Sequence, residues 1–339
     1  MMMSKRSAFV LPFVAATAML AACSPQAQTE SSGILPQRTL PASHMRPQRQ
    51  SWMAAVGKQD LLYVSNGNDE VTVYRYWQHT LVGVLTDFTQ PMGECVDKSG
   101  DVFITDYAAK QIVEYAHGGS KPIKTLNDSP DSPYTCYVDP ATGNLAVAND
   151  DGPSQEGNIA IWSGASSSPA TYTDSTLYNF QGCAYDNRGN LLVTNGYPGY
   201  PYATYFAWLP KNGTTLINIG VPGPEPSWKW YDVAGIQWDG KYFVLDSYDI
   251  YRVALLHGQA YYVGETELGS REENPSGPYW IYSAKPSGQG TQVVGGENGE
   301  EYGSEVDYWD YPAGGEYPIE ELTHGIDRPF GVTVSLKKS

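Results

Sequence analysis

The sequence predicts an all-β protein: a six-bladed β-propeller of four-stranded antiparallel blades, its ring closed by the C-terminal strand completing the N-terminal blade. Three observations lead there. A strand–turn–strand unit recurs along the chain, the composition favours strands and turns, and the two ends of the array carry complementary halves of one unit. With 35 Gly, 24 Pro and 26 Tyr but only 17% charged residues, the chain is built for turns and strands, unlike a charge-rich disordered segment.

The unit is read directly from the residues. Gln90-Pro91-Met92-Gly93-Glu94-Cys95-Val96-Asp97 leads through a Gly turn into Asp101-Val102-Phe103-Ile104-Thr105-Asp106. Ser132 to Asp139 leads in the same way to Leu145–Asn149, Phe180 to Asp186 leads to Leu191–Asn195, and Val233 to Asp239 leads to Tyr242–Asp246. Each copy is a first strand, an Asp-anchored Gly turn and a second strand ending in Asp or Asn. Third strands follow at Gln111–Tyr115, Asn158–Trp162 and Tyr205–Trp208, each before a hairpin turn, and Pro122–Leu126 exemplifies the fourth. Recurrence at about 40 to 50 residues with four strands per unit is the pattern of propeller blades.

The ends specify closure. Leu61–Asn66 matches a second strand with no first strand before it. Arg328-Pro329-Phe330-Gly331-Val332-Thr333-Val334-Ser335 matches a first strand with no second strand after it. Joining them removes the open sheet edge. A degenerate sixth unit takes Gln292–Val294 as second strand and Glu305–Trp309 as third, so residues 57–336 hold six blades.

These Pro-x-Gly first strands, Asp-anchored turns and Asp-ended second strands resemble the NHL and TolB-like six-bladed propellers. The resemblance is one of fold, and such propellers serve as lactonases, lyases, sensors and scaffolds. In gluconolactonase-like members, the residue before each first-strand Gly supplies metal-ligating Glu, Asn or Asp. Here those positions hold Met92, Tyr134, Gln181, Ala234 and Phe330, which do not form a divalent-cation site. No metal and no cofactor is expected there.

Residues 1–22 read as a bacterial lipoprotein signal peptide. Lys5 and Arg6 precede an apolar run from Ala8 to Met19, and Leu20-Ala21-Ala22-Cys23 resembles a lipobox, which implies cleavage before Cys23 and acylation of its thiol. An ordinary secretory signal cut near Ala22 is the alternative, and either one means export. Ser24 after the Cys leans towards the outer membrane. Residues 23–56, rich in Ser, Gln, Pro and Arg, read as a flexible tether. Membrane contact would come only through the N-terminal lipid.

The net charge of −16 argues against nucleic acid as a partner. Removing Lys5 and Arg6 with the signal makes the mature chain two units more acidic. An acidic stretch from Glu297 through Glu300, Glu301, Glu305, Asp307, Asp310, Glu316, Glu320 and Glu321 reads as a solvated blade face.

The candidate site is the channel mouth, where first strands begin and second strands end. It combines Asn66, Asp106, Asn149, Asn195 and Asp246 with Met92, Tyr134, Gln181 and Phe330. Asp and Asn at strand ends also commonly bond nearby backbone amides, a purely structural role. The mouth otherwise suits an uncharged polar or aromatic ligand, a peptide or glycan. His44 falls in the tether, while His79, His117, His257 and His324 fall in solvent-facing turns, and no nucleophile elbow or zinc-binding helix is present. The reading is a monomeric, non-catalytic binding or scaffold module with an unknown protein, peptide or glycan partner. The alternative is a lactonase-like hydrolase or lyase using Asp106 and Asp246. A further possibility is a partner-docking loop inserted over Gly264–Pro278.

Cys95, Cys136 and Cys183 lie on consecutive first strands. Relative to the Gly position, Cys136 and Cys183 point the same way and Cys95 the opposite way. Cys95 and Cys136 can therefore bridge adjacent blades, leaving Cys183 a buried thiol. Three buried thiols are the alternative.

Overall fold

The computed structural model describes residues 50–337, apart from 152–155, 166–167, 176, 198–199, 221–232, 234, 247–248, 270–278, 283–290 and 300–302. The signal and lipobox, and the tether up to residue 49, therefore lie outside the described residues. Among the described residues no helix is long and apolar enough to cross a membrane.

The repeat folds as six antiparallel sheets. Blade 1 holds β1 (Trp52–Met53), β2 (Leu61–Asn66), β3 (Val71–Arg75) and β4 (Thr80–Leu85). Blade 2 holds β5 (Pro91–Val96), β6 (Val102–Asp106), β7 (Gln111–Tyr115) and β8 (Pro122–Asn127). Blade 3 holds β9 (Ser132–Val138), β10 (Leu145–Asp151), β11 (Asn158–Trp162) and β12 (Ala170–Tyr172). Blade 4 holds β13 (Tyr178–Tyr185), β14 (Leu191–Tyr197), β15 (Tyr200–Leu209) and β16 (Ile217–Gly220). Blade 5 holds β17 (Ile236–Trp238), β18 (Phe243–Asp246), β19 (Ile250–Leu256) and β20 (Gln259–Thr266). Blade 6 holds β21 (Tyr279–Tyr282), β22 (Thr291–Gly299), β23 (Gly303–Tyr311) and β24 (Glu320–Leu322), and β25 (Pro329–Ser335) follows.

Closure is set by β25, which pairs with β2 from Leu61↔Ser335 to Asn66↔Pro329 and so supplies the first strand of blade 1. The first strands then touch in cyclic order, β25, β5, β9, β13, β17, β21 and back to β25. That order is a closed ring. One difference lies at the other edge of blade 1. Trp52 and Met53, within the stretch expected to be tether, pair with Val84 and Gly83 of β4 and make this sheet five-stranded.

Each blade is buried on both faces, which explains its unbroken apolar second strands. Along β2, Leu61 and Tyr63 join the apolar layer towards blade 2, while Leu62 and Val64 join the layer towards blade 6. Four further layers fill the remaining junctions, so each blade junction has an apolar cluster. The turns between first and second strands are fixed by their Asp. Asp97 Oδ1 accepts the amides of Ser99 and Asp101 at 2.7 and 2.9 Å, and Asp186 Oδ1 accepts those of Arg188 and Asn190, both at 2.8 Å. Gly100 and Gly189 follow at φ +85° and +84°, a backbone region that favours glycine.

Candidate functional site

At the mouth, the Asp and Asn residues at or near the ends of the second strands hold the chain, β10 and β14 each running two residues past Asn149 and Asn195. Asp106 is fully buried, and its carboxylate accepts the amides of Thr89 (3.1 Å) and Gln90 (2.9 Å) and the side-chain amide of Gln111 (3.2 Å). Asn66, equally buried, uses Oδ1 to accept the amide of Asp327 at 2.9 Å and donates from Nδ2 to Val64 O and Thr72 Oγ1. Thr89 and Asp327 occupy the same place, two residues before a first-strand Pro. The second-strand terminus thus caps the approach to the first strand of its own blade. Asp246 Oδ1 accepts the amide of Gly235, and Asn149 Nδ2 donates to Asn158 Oδ1 at 2.9 Å. The Asn195 side chain lies outside the described residues. Of the expected ligand ring, Asn66, Asp106, Asn149 and Asp246 are thus buried and bonded within the chain, the structural role that Asp and Asn at strand ends commonly take.

The first strands present a different surface. Tyr134, Gln181 and Phe330 are partly exposed, whereas Met92 is buried, in contact with Gln90 Nε2 through its sulfur at 3.9 Å. Tyr134 meets Tyr107 edge to face with ring centroids 6.5 Å apart. These side chains stand beside very close backbone contacts between blades. A Cβ added at Gly331 would lie 2.2 Å from Met92 O, and one at Gly93 would lie 2.7 Å from Tyr134 O. Where Thr135 replaces that Gly in blade 3, its hydroxyl uses the neighbouring carbonyl, donating to Gln181 O at 2.7 Å. Thr105 and Thr194, each one residue before the Asp or Asn of its repeat, donate across blade junctions to Tyr134 O (2.9 Å) and Val233 O (3.2 Å). The mouth thus combines half-buried aromatic and amide side chains of the first strands with buried polar groups bonded within the chain.

Several functional-looking groups were not legible as such. Glu94 fills a position that holds Cys136, Cys183, Ile236 or Val332 in other blades. It is fully buried, accepts Ser65 Oγ at 2.8 Å through Oε1, and leaves Oε2 without a hydrogen-bond donor. Burial holds its carboxyl well above the usual range, with the Ser65 bond opposing. An acid at an otherwise apolar repeat position was the available signal. Asp128, 5% exposed, is pushed up to about 7 by burial and by Asp131, against the opposing Asn149 bond and Lys110 charge.

Three acids expected on a solvated face are not solvated. Glu297, Glu305 and Asp307 are 1%, 5% and 0% exposed, with carboxylate oxygens within 4.8 Å of one another. Burial raises the Asp307 carboxyl, and Glu297, Glu305 and Glu321 raise it further. Glu300 and Glu301 lie outside the described residues, as does residues 270–278 of the expected docking loop. Gly264 belongs to β20.

Of the turn histidines, His257 and His324 are exposed as expected, whereas His79 and His117 are partly buried and make specific contacts. His117 Nε2 donates to Gln59 O at 3.0 Å, and Nδ1 lies 2.7 Å from Ser335 Oγ on the closing strand. His79 stacks on Tyr308 at 4.8 Å. Cys95 and Cys136 form a disulfide between the first strands of blades 2 and 3, their Cα atoms 5.6 Å apart. Cys183 is a buried thiol, pushed up to about 12 by burial.

No family model matches the sequence, and no curated protein matches it. Solved structures do. A chain from the crystal structure of a nidogen/laminin complex is 14% identical, with a TM-score of 0.55, covering 83% of this chain and 99% of that one. A protein of unknown function from Bacteroides caccae is 11% identical, with a TM-score of 0.59, covering 82% of this chain and 99% of that one. At these identities the likeness concerns the fold.

Proposed function

We propose that this chain is an exported lipoprotein of the NHL and TolB-like propeller kind, acting as a binding or scaffold module at the bacterial cell envelope. Residues 1–22 direct export, Cys23 carries the lipid, and the segment after it holds the propeller away from the outer membrane. The observation that carries the binding reading is the division of the mouth. Asn66, Asp106, Asn149 and Asp246 are buried in bonds to their own chain, while Tyr134, Gln181 and Phe330 remain partly exposed. Half-buried aromatics beside an amide suit a peptide or glycan, since they offer contact area at small entropic cost. One solved chain of similar fold comes from a nidogen/laminin complex, which supports protein recognition as a use of this architecture.

The hydrolase or lyase reading loses support on the same observation. Asp106 and Asp246, its candidate acids, are spent on backbone amides. Metabolic labelling with palmitate tests the anchor: label on the wild type and none on Cys23→Ser is expected, whereas an unlabelled wild type would refute lipidation. Probing peptide and glycan arrays with purified protein tests the module, with retention of a related set of peptides or glycans as the expected result.

A further inference from the structure

We propose that blade 6 carries a site for a hard divalent cation of the calcium class, held by the carboxylates of Glu297, Glu305 and Asp307. The strand register places these groups on one face. Glu297 lies directly opposite Glu305 across β22 and β23, and Asp307, two residues along, lies directly opposite Glu321 on β24. Like charges directly opposed on a sheet destabilise it, and here two such pairs stand side by side. Alternation sends their neighbours Val306 and Tyr308 to the apolar layer against blade 1, so the acids face blade 5 with Trp309.

The second observation is the Asp307 side chain. It is completely buried, its oxygens lie within the group, and they meet no N–H or hydroxyl donor, their hydrogen-bonding neighbour being the carboxyl of Glu297, itself an acid. A buried carboxylate without a donor loses its hydration uncompensated. The charges acting on it are Glu305, Glu297 and Glu321, all acidic. A cation resolves the arrangement because it supplies positive charge to the Asp307 oxygens, which no N–H or hydroxyl donor reaches. An all-oxygen donor set suits a hard cation, and calcium accepts the irregular coordination that two strands of a sheet can offer. Such an ion would tie β22 to β23 where Gly296 packs against Pro329, the first residue of the closing strand. It would brace the ring at its seam.

The test uses the purified full chain, stripped with EDTA and titrated with calcium chloride at pH 7.5 by calorimetry, with melting temperature followed in parallel. One calcium bound per chain, a melting temperature raised by calcium and lowered again by EDTA, and loss of both effects in Asp307→Asn are expected. If neither calcium, magnesium nor manganese binds the wild type or shifts its melting, the site is refuted and the carboxyls share protons instead. Calcium binding that survives unchanged in both Asp307→Asn and Glu305→Gln would also overturn it. Should the variants fail to fold, the wild-type comparison of calcium with EDTA decides alone.

Discussion

Asn66 Oδ1 accepts the backbone amide of Asp327 at 2.9 Å, joining two residues 261 positions apart at the seam of the ring. Asp106 makes the corresponding bonds to Thr89 and Gln90 inside blade 2. One local device therefore serves both within a blade and across the closure. Asp106→Ala removes the acceptor for two backbone amides and a side-chain amide, and we expect a loss of about 2–3 kcal/mol. Urea unfolding measures it, and an unchanged midpoint would contradict the capping role.

The contact between innermost strands sets a second expectation. Gly331→Ala places a methyl group 2.2 Å from Met92 O, so the seam must open or the strand must shift. A cost of about 1–3 kcal/mol is expected, typical of overpacking. Thermal melting of this variant beside the wild type checks it.

The disulfide links strands of adjacent blades, at a sequence separation of 41 residues. Breaking it with Cys95→Ala plus Cys136→Ala should lower stability by about 2–4 kcal/mol. Alkylation of the unreduced, folded protein should label neither Cys95 nor Cys136. Cys183 should react only after unfolding, because it is buried and its thiol stays protonated at neutral pH.

Asp128 gives a pH dependence of definite sign. Its folded value, about 7, lies above the ordinary value of 3.8, so between these values the folded state binds more protons than the unfolded state. Stability contributed by this group is complete below about pH 4 and is lost as pH rises towards 7. Asp128→Asn should flatten that part of the stability profile and stabilise the protein at pH 8. Urea unfolding at pH 4.5, 6 and 8 reads it, and a variant retaining the wild-type slope would show that another group titrates.

Much of this architecture was legible because the repeat specifies it locally. The Pro-x-Gly strands, the Asp turns and the two terminal half-units each state a pairing in neighbouring residues, and β25 meets β2 in the register they imply. The burial of acids was not legible in the same way. Glu297 lies in a β22–β23 hairpin that continues to Gly299↔Gly303, well beyond Val294, and only the packing of that extended hairpin removes its carboxylate from water. His117 is similar, since its partner Ser335 lies 218 residues away on the closing strand. The mouth residues fall between these cases. Their positions followed from the repeat, but whether an Asp faces a ligand or its own backbone depended on the chain approaching from the preceding blade.

We propose that the strand-end acids and amides hold the chain while the rim makes contact with a ligand. This division of roles is tested most directly by probing one peptide and glycan array with three proteins: wild type, Tyr134→Ala plus Phe330→Ala, and Asp106→Asn, each with its melting temperature measured. The rim variant is expected to lose the peptides or glycans retained by the wild type at little cost in melting temperature, while Asp106→Asn is expected to retain them and melt lower. Loss of retention in Asp106→Asn at unchanged melting temperature, with the rim variant binding normally, would contradict that division.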